Sequence, residues 1–158
     1  MKDQLKLAGY LDSEDQYSNS VNEPSSAYGV QIIQFNPMEH AILSNNGLPI
    51  STLSKISQRY KLTNSSIASI FEISEKTLHN RLKKADTLKI HETDLALSLI
   101  ELYSEGRLTF EKEDAFISWL NTSWEALQFQ KPIDLMKSVS GVRFLIEELR
   151  NIREGIFA

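Results

Sequence analysis

The chain has no cysteine among its 158 residues, so disulfides, a thiol nucleophile and a cysteine-based zinc site are excluded, and nothing points to an oxidising compartment. It has no apolar run near the roughly 18 residues that a membrane span requires, and the opening MKDQLKLAGYLDSEDQ lacks the hydrophobic stretch of a signal peptide. A cytoplasmic protein with no membrane partner is expected. No G-x-G-x-x-G or P-loop occurs and no Ser/His/Asp order is visible. His40, His79 and His91 are scattered, with no carboxylate or second histidine at ligand spacing. The sequence therefore offers no catalytic residue, metal site or cofactor site, and the expectation is a protein that is not an enzyme.

What the chain does have is enough apolar content, 41%, for one good core or two small ones. Its net charge of −4 is unevenly placed. Residues 54–89 carry eight Lys/Arg against three Asp/Glu, whereas residues 1–53 carry two against six and residues 90–158 seven against twelve. A basic segment between acidic ones turns one face toward a polyanion and leaves the acidic parts for other partners.

Residues 1–36 are expected to form a flexible arm: YSNSVNEPSSAYG has four Ser, two Asn, a Pro and a Gly and no apolar periodicity with which to build a core. Within it, VQIIQF (Val30–Phe35) reads either as a strand without a partner or as an isolated docking segment. From Pro37 the pattern is helical throughout. A short helix spans Pro37–Asn46 with Met38, Ala41 and Ile42 as its apolar face, and Gly47 follows it. Pro49–Tyr60 carries Ile50, Leu53, Ile56 and Tyr60 at helical spacing. After a link containing Leu88, a long, central helix begins at Ile90 with Leu95, Leu99 and Leu102 on one stripe, and Gly106 is expected to stop it. Thr109–Asn121 and Trp124–Phe129 read as further helix and turn, Pro132 as the start of a short helix, and Gly141 as the start of the last one. In that last helix Val142, Leu145, Ile146, Leu149 and Ile152 form the buried face, opposite Arg143, Glu147, Arg150 and Glu154 at self-pairing distance. Trp119 and Trp124 are both expected to pack the core.

The most informative stretch is KLTNSSIASIFEISEKTLHNRLKK, a helix, a tight turn and a second helix. Ala68 sits where two helices must approach, Ser74 is placed to cap the second helix, and Leu78, Leu82 and Ala85 form its buried side. The outer face then carries the DNA-binding candidates Ser74, Lys76, Thr77, Asn80, Arg81, Lys83 and Lys84. Lys76, Thr77 and Asn80 are expected at base edges, and Arg81, Lys83 and Lys84 at phosphates. One short helix reads few bases, so a homodimer on operator DNA is expected.

ISEKTLHNRLKK, followed by an apolar helix and then by AFISWLNTSWEAL, KPIDLMKSVSGV and LIEELRNIREGIFA, resembles the Xre/MbcA/ParS family of antitoxins over roughly Pro49 to Ala158. The strongest marks are Trp119-Leu120, Pro132-Ile133-Asp134-Leu135, Gly141 and the terminal Gly155-Ile156-Phe157-Ala158. Three departures stand out: Thr122-Ser123 and Phe129-Gln130 replace an Asn-Pro and a Gly-Gly pair common in the family, and Glu72 occupies the helix-turn-helix turn where Gly is usual. The resemblance implies an all-α fold, with a helix-turn-helix DNA-binding domain at 37–89 and a small helical toxin-binding domain at 90–158. It implies an antitoxin of a type II system that neutralises a cognate toxin, usually a RES-domain protein that depletes NAD, and represses its own operon. The candidate toxin-binding residues are Arg150, Arg153, Glu154, Gly155, Ile156, Phe157 and Ala158, because a chain that leaves Ile and Phe at a terminus beyond a Gly either tucks them into its core or offers them to a partner. The competing reading is a stand-alone helix-turn-helix regulator whose C-terminal helices only dimerise it.

Overall fold

The computed structural model describes residues 33–156. Residues 1–32, most of the 1–36 stretch expected to be a flexible arm, and the terminal Phe157 and Ala158 lie outside the described residues. Among those described, the chain forms eight α-helices and no strand: α1 Pro37–Asn46, α2 Ser51–Arg59, α3 Asn64–Ile70, α4 Glu75–Lys83, α5 Ile90–Thr109, α6 Glu113–Asn121, α7 Pro132–Leu135 and α8 Val139–Glu154, with a 3-10 turn at Glu125–Leu127 between α6 and α7.

The long helix α5 is the axis. Leu95, Ala96, Leu97, Leu99, Ile100, Leu102 and Tyr103 are all buried along it, because α1, α2, α6 and α8 all pack against it. Helix α8 lays Val142, Leu145, Ile146 and Leu149 against it at the spacing read from the sequence. Residues Ile33 to Phe35 settle what the VQIIQF stretch does at its end: it docks. The Ile33 amide donates to Ser104 Oγ at 2.8 Å and the Phe35 amide to Glu101 Oε1 at 2.8 Å, and Ile33 is buried in the core.

Helix α1 begins where the proline and a reciprocal Asn36–Glu39 capping box place it, but its buried side is not the expected one. Leu43 and Ser44 face inward and Met38 and Ile42 outward, because Ser44 Oγ donates a hydrogen bond to Asp94 of α5 and so fixes the rotation of the helix.

Gly106 does not stop α5. The helix runs on to Thr109, and Gly106 is where the next helix crosses it: a Cβ built there would lie 2.3–2.5 Å from the ring of Phe116, which is wholly buried. Around that contact sits an aromatic cluster. Tyr60 from α2's end packs edge-on to Tyr103 at 5.4 Å, both contact Phe116, and Phe116 stacks on Trp119 at 6.2 Å. Tyr60 also donates its hydroxyl to the Leu99 carbonyl at 2.7 Å. Beside the cluster Tyr103 donates to Glu113, and Lys61 pairs with Glu113 at 3.2 Å and Asp114 at 2.6 Å. Burial and the nearby Glu113 carboxylate push the Tyr103 hydroxyl up to about 12.

Three more expectations change for physical reasons. Helix α8 starts at Val139 because Ser138 caps it, accepting from the Gly141 amide at 3.1 Å; Gly141 lies inside the first turn, where a Cβ would meet the Leu135 carbonyl at 2.1 Å. Ala85 is exposed with φ of 50°, closing the end of α4 instead of packing under it. Trp119 is buried, but Trp124 is half out in solvent.

Arg81 holds α4 down on α5. Its guanidinium pairs with Glu92 through Nη1 at 2.7 Å and Nη2 at 2.9 Å, with Asp86 at 2.9 Å, and with the Thr87 carbonyl at 3.1 Å. The Arg81 hydrogen bonds hold the buried Glu92 carboxyl below its usual value of 4.5.

Two outcomes follow from this packing. In Gly106→Ala, relief of glycine's poor helix propensity is worth about 1 kcal/mol, but forcing a methyl against an immobile buried ring costs about 1–3 kcal/mol. The net cost is then about 0–2 kcal/mol, and since about 1 kcal/mol shifts a chain of this size by 2–4 °C the melting temperature should fall by up to about 8 °C; a raised value in calorimetry would refute the crossing contact. For Glu92, a depressed carboxylate contributes stability that is present above its unfolded range and lost as pH falls below it. Glu92→Gln should be less stable than the parent at neutral pH, with the difference closing as pH falls below the ordinary carboxylate range and through the lowered native value. Denaturant titrations at several pH values would show it, and a gap that persists at low pH would contradict it.

Candidate functional site

The first surface is α4. Thr63 and Ser74 each accept from a backbone amide three residues on, Ser66 at 3.1 Å and Thr77 at 3.0 Å, so α3 and α4 have fixed starts. Between them the Ile73 amide reaches the Ala68 carbonyl at 3.0 Å, and Glu72 takes φ of 53°. Glu72 thus adopts the left-handed conformation that its place in the turn demands, at a strain of about 1–2 kcal/mol for a residue with a Cβ. Buried Ala68 leaves room for the close approach of the two helices.

With Leu78 buried and Leu82 half-buried, and with about 100° between successive residues, Asn80 lies at the middle of α4's outer face. Lys76 and Lys83 flank it on one side, Thr77 and Lys84 on the other, and Ser74 stands at its start; all six are exposed. Arg81 is the exception among the sequence candidates. Its side chain is directed back into Glu92, Asp86 and the Thr87 carbonyl, so it supports this face and does not belong to it. Glu92 was not singled out from the sequence. Its signal was there, since a carboxylate on a buried helix stripe needs a partner.

The second surface is the end of α8. Arg150 and Arg153 both turn to one carboxylate, Glu105 of α5: Arg150 Nε pairs with Oε2 at 3.3 Å and Arg153 Nη1 hydrogen-bonds Oε1. Glu105 is only 3% exposed, so the two cations satisfy a charge that would otherwise be costly to bury. Thr109 adds a hydroxyl donated to the Leu149 carbonyl at 3.2 Å. Arg150 thus bonds across to α5, where pairing along its own helix was expected. Beyond this anchor Gly155 takes φ of 71° and ends the helix, the Ile156 amide returns to the Asn151 carbonyl at 2.9 Å, and Glu154 and Ile156 stand in solvent. Of the sequence candidates, five therefore meet at one end of the molecule, and Phe157 and Ala158 lie outside the described residues. Glu105 again escaped the sequence reading.

One further trio has reactive residue types. His40 Nδ1 lies 3.6 Å from Asp94 and 3.4 Å from Ser44 Oγ, but Ser44 donates directly to Asp94 and is buried, so the histidine does not activate it. The trio tethers α1 to α5. Among the described residues no group of three or more His, Asp or Glu is placed to hold a metal ion.

These two surfaces coincide with two matched families. Residues 39–101 match the antitoxin Xre-like helix-turn-helix domain, and residues 105–155 match the antitoxin Xre/MbcA/ParS C-terminal toxin-binding domain, so the junction falls within α5. No curated protein matches the chain. Among solved structures it is similar to a chain of the crystal structure of the M. tuberculosis MbcT-MbcA toxin-antitoxin complex, with a TM-score of 0.54 and 17% identity over 69% of this chain and 96% of that one. At that identity the likeness concerns the fold. The order of helices, the capped second helix of the helix-turn-helix and the two successive family matches place the chain in the Xre/MbcA/ParS family of antitoxins.

Proposed function

We propose that this antitoxin neutralises a cognate toxin through the end of α8 and the tail beyond it, and represses its own operon as a homodimer that sets α4 in the major groove of operator DNA. The observation that carries the reading is the presence on one chain of two separate exposed surfaces of different chemistry. One is a basic, hydroxyl- and amide-bearing helix face; the other is a helix end pinned by Glu105 that leaves Ile156 exposed beyond Gly155. In this reading Lys76, Thr77 and Asn80 meet base edges and Lys83 and Lys84 meet phosphates, while Arg81 orients the helix from behind. Arg150 and Arg153 act by holding the last turn of α8. Glu154, Gly155, Ile156, Phe157 and Ala158 reach the toxin. The RES-domain, NAD-depleting character of the toxin rests on the family resemblance.

Lys83→Ala with Lys84→Ala should weaken binding to every DNA sequence and reduce the slope of log affinity against log salt by roughly one unit for each phosphate no longer neutralised. Asn80→Ala should instead lose about 1–3 kcal/mol of discrimination between operator and altered sites. Titrations on the upstream operator at several salt concentrations separate the two, and an unaltered slope in the double variant would remove α4 from the DNA. Deleting residues 155–158 should leave a folded, operator-binding protein that no longer rescues cells expressing the toxin from the adjacent reading frame. Full rescue by the truncated protein would move the inhibitory surface elsewhere.

A further inference from the structure

The loop from Trp124 to Gln130 carries a strain that its own fold does not need. Gln128 and Phe129 follow each other in the left-handed region, with φ of 53° and 62°. A β-carbon makes that region unfavourable, and for a bulky side chain it is an outlier that calls for a cause. Glycine would occupy both positions without strain, so a loop selected only to connect α6 to α7 gains nothing from phenylalanine there.

Burial does not supply the cause. Phe129 is 73% exposed and is not among the partly buried apolar residues that pack on the core. The residue that anchors the loop is Leu127, which is buried. The loop is nonetheless firmly set: the Phe129 amide donates to the Trp124 carbonyl at 2.9 Å, Gln128 to Glu125 at 2.9 Å, Gln130 to Leu127 at 3.0 Å, and Trp124 Nε1 to the Trp119 carbonyl at 3.1 Å. Trp124 itself is 41% exposed. One closed loop therefore presents two large aromatic side chains to solvent, with exposed Gln128 and Gln130 amides beside Phe129 and single charges of each sign, Glu125 and Lys131, at its ends.

The geometry points to this loop as a second docking element for the cognate toxin, with Phe129 as an apolar anchor seated in an uncharged pocket of the partner and Trp124 beside it. The inference rests on the antitoxin reading above and adds a specificity-determining residue to it. Three features support the toxin as occupant. The loop lies inside residues 105–155, the stretch matched to a toxin-binding domain. An aromatic anchor within an uncharged polar surround is the composition of the energetic centre of protein interfaces. A loop already fixed by its own hydrogen bonds loses little conformational freedom when it docks. The strain is then the cost of holding Phe129 outward.

The test uses the full chain with Phe129→Gly and Phe129→Asn, two residues that tolerate the left-handed region. Thermal melts and the affinity for the purified product of the adjacent toxin reading frame are measured together, with operator binding as a control. Both variants should melt at or a few degrees above the parent temperature, bind the operator unchanged, and bind the toxin roughly 10- to 100-fold more weakly. Retained or raised stability together with weakened toxin binding is the signature. Lower melting in both variants would show that the side chain serves the fold, and toxin affinity within about twofold of the parent would show that the loop does not dock; either result overturns the inference. If the tail deletion abolishes toxin binding while the Phe129 variants retain it, this inference fails and the antitoxin reading stands. If the parent chain does not bind that toxin at all, both fail.

Discussion

The contact of the Phe116 ring with the bare backbone of Gly106 is the constraint from which the rest of the arrangement follows. Only a residue without a side chain lets α6 cross α5 at that depth, and the crossing brings Phe116 within reach of Tyr60 and Tyr103. Tyr60 belongs to the helix-turn-helix half, Phe116 to the half matched as toxin-binding, and Tyr103 to the helix they share. One ring thus joins the two halves through dispersion contacts, and the Lys61 pairs with Glu113 and Asp114 close the same joint at its wet edge. Such exposed pairs contribute little by themselves, about 0–1 kcal/mol, so the aromatic packing holds the joint.

The polar interior obeys a second logic. Two carboxylates are buried on α5, Glu92 and Glu105, and each faces arginine from an element proposed to carry a working surface: Arg81 from α4, Arg150 and Arg153 from α8. Burying a charge is favourable only when its partners are placed with good geometry. The same pairing therefore fixes the pose of the element that brings the arginine. Each proposed working surface is oriented by its own carboxylate on the central helix, Glu92 for α4 and Glu105 for α8.

Much of this was legible in the order of residues because local signals and burial agree there. Pro37 and Gly47 bracket α1, Ser74 caps α4, and the period of Val142, Leu145, Ile146 and Leu149 marks the buried side of α8. The misreadings at Gly106, Ile42, Arg81 and Arg150 share one cause, a tertiary contact that overrides a local preference. Gly106 looks like a stop until Phe116 is placed over it, Ile42 looks buried until Ser44 bonds to Asp94, and Arg81 and Arg150 look like surface cations until Glu92 and Glu105 are set opposite them. A single sequence shows that Glu92 and Glu105 need counterions but not which arginines supply them. The strained loop was half legible: Phe129-Gln130 stood out against the family's glycines, while the left-handed backbone at 128 and 129 had to be observed.

Helix α5 has 20 residues, which at 1.5 Å per residue makes a rod of about 30 Å. It starts beside the turn that follows α4 and ends beside the last turns of α8, so it works as a ruler between two kinds of cargo. On the proposed reading, a toxin captured at one end rides at a set distance and rotation from the base pairs gripped at the other. On a two-fold operator the spacing of the half-sites then dictates how far apart two captured toxins stand. Within the proposed homodimer the pairing of the two copies sets that spacing, so the half-site separation of the operator and the distance between the captured toxins would be two readings of one length.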